Sequence, residues 1–158
     1  MNVNCKGVQK MEQVTMVIEG EPIAQPRHRV TARGKFGRAY IPKEHRVHEY
    51  KHKIKAAGAA HFKKPFVGPV KLLLQFVLPR PKSHWGKKGL LPSAPVFPSK
   101  RDFDNLAKAA TDPLNGIAWI DDEQITTAHV VRRYSGLRED PGSTHITVME
   151  DENFSAAD

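Results

Sequence analysis

The sequence predicts an α+β fold: one mixed sheet with helices packed on it, in the order strand, helix, strand, helix, strand, strand. Two observations carry this expectation. Segments of period-two apolar alternation are interleaved with two segments of helical period. The length of 158 residues suits one hydrophobic core, and no internal repeat or second apolar region is present. The domain is placed at residues 14–150. Residues 1–13 are read as a flexible extension and 151–158 as a frayed acidic tail.

Val14, Met16 and Ile18 alternate in a first strand ending at Glu19. A segment rich in Gly, Pro and Arg follows, with a hairpin expected near Gly34-Lys35. Pro42 suits a first helical turn, and Val47, Tyr50, Ile54 and Ala57 then recur at helical spacing with lysines on the other faces. From Val70 to Leu78 both faces are largely apolar, as in an interior strand that stops at Pro79. Residues 79–99 are dense in Pro, Ser, Gly and Lys and lack a period; a loop of this length is functional or disordered. A second helix is expected over Asn105–Thr111 and should end at Pro113, with a turn at Asn115-Gly116. Gln124–Tyr134 and Thr144–Glu150 read as strands, and the loop SGLREDPGS between them predicts an antiparallel pair.

Composition excludes several classes. No apolar run approaches the roughly 20 residues needed to span a bilayer, and the first residues lack a signal-peptide core, so the expected location is the cytoplasm. Cys5 is the only cysteine, which excludes an internal disulfide and a cysteine-based zinc site. The string His48-Glu49-Tyr50-Lys51-His52 matches a short zinc-protease pattern, but wider ligand support is missing and lysines surround it. Net charge is +8, unevenly spread: residues 21–108 hold 20 Lys and Arg against 5 Asp and Glu, and residues 109–158 hold 3 against 10. Such a basic block points to a polyanion, of which nucleic acid is the commonest.

The chemistry is concentrated in KRDFDNLAKAATDPLNGIAWIDDEQI, from Lys100 to Ile125. Asp102 and Asp104 are two apart ahead of a helix, so in extended backbone their carboxylates point to one side, and Asp104 can also cap the helix. Lys108 follows one helical turn later. The helix and the Asn-Gly turn reverse the chain, which would return Asp121 and Asp122 to the first pair. Carboxylates without cysteine or paired histidine ligands suit magnesium or manganese, and such a centre can activate water against a phosphodiester. Taken singly, each element has a plainer reading as a cap, a solvated turn or an i,i+4 ion pair.

Residues 101–125, RDFDNLAKAATDPLNGIAWIDDEQI, resemble the RusA-type Holliday junction resolvases of bacteria and their phages, whose signature is close to D-x-D-N-L-x-K, D-x-L and D-D-x-Q. GEPIAQPR, AYIPKE and the strand leading into PRPKSHW extend the resemblance over roughly Val14 to Met149. The resemblance implies a small α+β homodimer that resolves four-way DNA junctions by paired, symmetric, magnesium-dependent nicks, with manganese as a substitute. It implies Asp102, Asp104 and Asp122 as catalytic metal ligands and Lys108 as the catalytic or phosphate-contacting lysine. Asp112 and Asp121 match further acidic positions. Arg27, Arg29, Lys100 and Arg101 are the expected DNA contacts, lying in the family-like segments or beside the acids. The alternatives are a non-catalytic junction-binding protein and a broader nuclease acting on forks and flaps.

Overall fold

A computed structural model describes residues 12–33 and 36–154, with backbone alone at 31–33 and 36. The elements are β1 (Gln13–Glu19), β2 (Arg29–Arg33), β3 (Phe36–Tyr40), α1 (Val47–His61), β4 (Val70–Leu78), β5 (Trp85–Gly86), β6 (Gly89–Leu90), α2 (Phe103–Thr111), β7 (Ile125–Tyr134) and β8 (Ser143–Glu150). The chain is α+β with one mixed sheet and two helices in a single domain. The β2–β3 hairpin is the one expected near Gly34-Lys35, and the small β5–β6 hairpin adds to the expected element order. Arg33 pairs with Phe36 across β2–β3, and the turn itself lies outside the described residues, as does the N-terminal extension up to residue 11. No helix among the described residues is long and apolar enough to cross a membrane.

The main sheet has the order β1-β8-β4-β7. This corrects the expected β7–β8 pair: β4 lies between them, antiparallel to β8 and parallel to β7. The reason lies in burial. β4 buries Val70, Leu72, Leu74, Phe76, Val77 and Leu78, and such a strand is stable only when flanked on both sides. β7 buries no side chain fully and takes an edge. Parallel pairing of β4 with β7 then requires a crossover connection, which the 79–101 segment and α2 supply.

Both helices cover the same face of the sheet. Met16, Ile18, Leu72, Leu74, Phe76, Ile146 and Val148 point inward to meet Val47, Tyr50 and Ile54 of α1 and Leu106, Ala109 and Ala110 of α2. Tyr50 Oη and Thr144 Oγ1, both buried, lie 2.6 Å apart, so each polar tip finds its partner in the apolar layer. Gly58 lets α1 approach the following segment closely, for a Cβ there would stand 2.6 Å from Leu114 Cδ2.

Local boundaries differ from expectation where backbone chemistry decides them. α1 starts at Val47, five residues after Pro42, whose carbonyl accepts the His45 N–H in a preceding turn. α2 begins at Phe103 and ends at Thr111, and Pro113 is accommodated in a 3-10 turn, Asp112–Leu114. Residues 79–99 are folded: Arg80 lies 4.6 Å over the Tyr134 ring and donates to the Pro95 carbonyl at 2.8 Å, and His84 packs edge-on against the same ring.

Past β8, Asp151 is buried and accepts bonds from the Thr126 and Thr127 hydroxyls and from Asn153, and a 3-10 turn follows at Glu152–Phe154. The Thr127 hydroxyl leads in holding the Asp151 carboxyl below the usual carboxylate range, outweighing desolvation, which opposes ionisation. A depressed folded pKa gives stability that is present above the unfolded value near 3.9 and disappears as pH falls through the folded one. Asp151→Asn should therefore melt below the wild type at pH 7. Thermal scans should show the gap closing in strong acid, and a gap constant with pH would contradict the assignment.

Candidate active site

Asp102 is the residue on which α2 begins, with extended backbone, and Asp104 lies in its first turn. The expectation that Asp104 caps the helix is not met, because the cap position falls to Asp102, whose side chain accepts no capping bond. Among the described residues neither carboxylate is in a hydrogen bond or salt bridge, and both residues are exposed. Two unpaired acids at the positive end of a helix form an all-oxygen donor pair open to solvent, which fits a hard cation.

The loop feeding this pair is tightly braced. Arg101 adopts φ +73°, a left-handed conformation that disfavours an L side chain and is held by its surroundings. Its guanidinium donates to the Pro22 carbonyl at 2.8 Å and pairs with Glu21, while its carbonyl accepts from Arg132 of β7 at 2.7 Å. Burial opposes the ionisation of Glu21, but Arg101 and Arg46 outweigh it and hold the carboxyl below its ordinary value. Arg101 is thus engaged in bracing bonds within the protein while its side chain stays partly exposed. The Gln25 N–H donates to the Asn105 carbonyl at 2.9 Å, tying the Pro22–Gln25 segment to α2. Arg27, Arg29 and Lys100 are exposed. Lys108, in the last turn of α2, is exposed and pairs with neither Asp104 nor Asp112. Asp112 pairs instead with Lys51 of α1 at 3.0 Å.

At the other end of the sheet, the two acids before β7 divide their tasks. Asp121 caps the Asp122–Gln124 turn, accepting the Glu123 N–H at 3.0 Å. Gln124 accepts the Ile120 and Asp121 N–H groups and donates to the carbonyls of Phe66 and Gly68, locking this turn to the entry of β4. Asp122 is left exposed, with Oδ1 held by the indole N–H of the fully buried Trp119 at 2.8 Å. Trp119 and Gln124 are orienting residues that the sequence reading did not single out. Gln124 carried a signal, as the last letter of D-D-x-Q, and Trp119 carried none beyond its three-residue spacing from Asp122.

The three acids do not converge within one chain, contrary to expectation. Asp102 adjoins Arg101, held by Arg132 near the end of β7, whereas Asp122 precedes the first residue of that strand. Ile125 to Arg132 spans seven steps at about 3.3 Å each, so the two acidic motifs are anchored toward opposite ends of β7. The Asn115-Gly116 turn does reverse the chain, but at the far end of α2, and parallel pairing starts β7 there. Accordingly, among the described residues no group of three His, Cys, Asp or Glu side chains is placed to hold a metal. The chain thus presents two candidate half-sites: Asp102/Asp104 toward one end of the sheet and Asp122 toward the other.

Comparison with known families adds an independent finding. Residues 19–148 match the family model described as endodeoxyribonuclease RusA, a span that contains Asp102, Asp104, Asp112, Asp121 and Asp122. No curated protein matches the chain. RusA proteins are endodeoxyribonucleases that hydrolyse DNA phosphodiester bonds and act on Holliday junctions. With most of its length matched, the chain belongs to the RusA endodeoxyribonuclease family.

Proposed function

We propose that the chain is a magnesium-dependent Holliday junction resolvase, encoded by a bacterium or phage and acting in the bacterial cytoplasm, and that it works as a homodimer making paired symmetric nicks. The observation carrying this reading is the split of the acidic residues into two half-sites at opposite ends of the sheet. In a two-fold dimer, Asp102 and Asp104 of one protomer meet Asp122 of the partner subunit, and the two composite centres face the two opposed strands of a symmetric junction.

When bound, magnesium, with manganese as a substitute, supplies a lowered water pKa and a positive clamp for the reacting phosphate. The chain's own residues do the rest. Asp102 and Asp104 present their oxygens from a loop that Glu21, Arg101 and Arg132 keep from shifting. Trp119 fixes one oxygen of the exposed Asp122, and the other is free to meet a cation. Lys108 neutralises charge developing on the phosphate. Arg27, Arg29 and Lys100, all exposed, hold the flanking backbone.

Composite centres make a specific demand. Asp102→Asn and Asp122→Asn should each abolish nicking of a synthetic four-way junction while leaving binding intact or tighter, since unneutralised carboxylates repel phosphate. Mixing the two dead variants should restore nicking, because a mixed dimer keeps one intact centre. A mixture as inactive as its components, after subunit exchange verified by mass, would sink the composite reading.

Trp119→Phe keeps an aromatic in the core but removes the N–H. Loss of such an orienting bond should raise the magnesium concentration for half-maximal nicking by about 10–100-fold. Gel-shift affinity with the metal chelated should not change, and an unaltered magnesium requirement would show that Asp122 needs no orienting.

Replacing Arg27 and Arg29 together by Ala should flatten the dependence of log Kd on log salt by about 2 units, near 0.9 for each phosphate contact. An unchanged slope would remove this segment from the DNA face.

A further inference from the structure

The segment between β4 and α2 has an organisation that cleavage itself does not require. From Pro79 to Lys100 it contains Arg80, Lys82, Lys87, Lys88 and Lys100 and no Asp or Glu. It is folded back on itself by the β5–β6 pairing, Trp85 with Leu90 and Gly86 with Gly89, and by the Leu91 N–H donating to the His84 carbonyl at 2.9 Å. Two arginines anchor it. Arg80 stacks on Tyr134 of β7, and Arg138, from the β7–β8 loop, lies 5.4 Å over the Trp85 ring and donates to the Gly86 carbonyl. Trp85 Nε1 and His84 Nδ1 are buried without partners, so the hairpin is held here despite two unsatisfied polar atoms.

The basic groups are thereby sorted. Arg80 and Arg138 are engaged in anchoring, while Lys87 and Lys88 are exposed at the tip, and among the described residues neither forms a salt bridge or hydrogen bond. Location gives the tip its meaning. Tyr134, on which Arg80 of this segment stacks, lies two residues along β7 from Arg132, whose side chain holds the loop of Asp102, so the anchor of the hairpin and that loop share one end and one face of β7. A polyanion laid across Asp102 and Asp104 therefore passes beside a rigid, acid-free, lysine-tipped arm.

We infer that the β5–β6 hairpin is a second DNA grip, in which Lys87 and Lys88 clasp the sugar-phosphate backbone of a duplex arm outside the cleaved step. The inference rests on the reading of the chain as a DNA-cleaving enzyme but assigns the hairpin no part in the chemistry. Its rigidity matters, because a preorganised arm contacts phosphate without first being ordered. Backbone contacts of this kind position a protein on DNA and carry no base sequence.

The test uses the full-length protein and a synthetic four-way junction. Lys87→Ala combined with Lys88→Ala should lower the salt slope of binding, measured with magnesium chelated, by about 2 units. Single-turnover nicking at saturating protein should keep the wild-type rate. In a second measurement, a photo-crosslinker on Lys88→Cys in a Cys5→Ser background should give adducts on an arm, away from the nicked phosphate. An unchanged salt slope, a reduced rate at saturation, or the absence of arm adducts would each overturn the grip. If the wild type binds but does not nick, the nuclease reading fails while the slope still reports on the hairpin, so the two failures are distinguishable.

Discussion

Parallel pairing of β4 with β7 is the constraint on which the rest of the molecule depends. Because two parallel strands cannot be joined by a tight turn, the chain must leave the end of β4, cross the sheet and re-enter at the start of β7. Everything chemically notable lies on that excursion: the hairpin, the braced loop, α2, the Asn115-Gly116 turn and the Trp119–Gln124 cluster. The same crossover keeps the two acidic motifs a strand's length apart. A structural rule about strand direction thus underlies the proposed assembly, in which a centre using all three acids draws on two chains.

The braces at each half-site share a design in which long-range bonds, and not local propensity, set the position of a carboxylate. Arg101 joins β1's exit, through Glu21 and Pro22, to the loop ahead of α2, and Arg132 reaches the same loop from β7. Gln124 joins the Asp122 turn to the residues ahead of β4. Each half-site is therefore tied to at least two other parts of the fold. A metal centre requires ligand oxygens held within a few tenths of an ångström, and short 3-10 turns and loops reach that precision only through such ties.

The sequence displayed those features that depend on local periodicity. The alternation of Val14, Met16 and Ile18, the two-sided apolarity of Val70–Leu78 and the helical spacing of Val47, Tyr50 and Ile54 all correspond to the observed elements. The partner of each strand was not legible, because β7 and β8 are joined by a loop that looks like a hairpin connection, and only the burial demand of β4 separates them. In the site, D-x-D-N-L-x-K and D-D-x-Q stood out as motifs, but spacing along a chain does not say on which side of a sheet it returns. Arg101 shows the same limit from the other direction: a basic residue beside an acidic pair reads as a phosphate contact, and only its pairing with Glu21, 80 residues earlier, reveals a brace. Asp121 and Asp122 look equivalent in sequence, yet one accepts a capping backbone N–H and the other the Trp119 indole N–H.

Under the composite reading, division of the centre has a consequence for substrate choice. A lone chain on duplex DNA holds Asp102 and Asp104 against a phosphate without the third acid, so the centre is incomplete wherever a second protomer is not seated opposite. A two-fold dimer that places its centres on two opposed strands fits a four-way junction, whose own symmetry presents equivalent phosphates to both. Linear duplex offers no such matched pair across the same separation. On the same reading, the basic block from residue 21 to 108 supplies attraction to any DNA backbone, as charge does not distinguish a junction from a duplex. Selectivity then resides in whether the bound backbone lets both centres engage their phosphates at once, so that affinity comes from charge and the decision to cut comes from geometry.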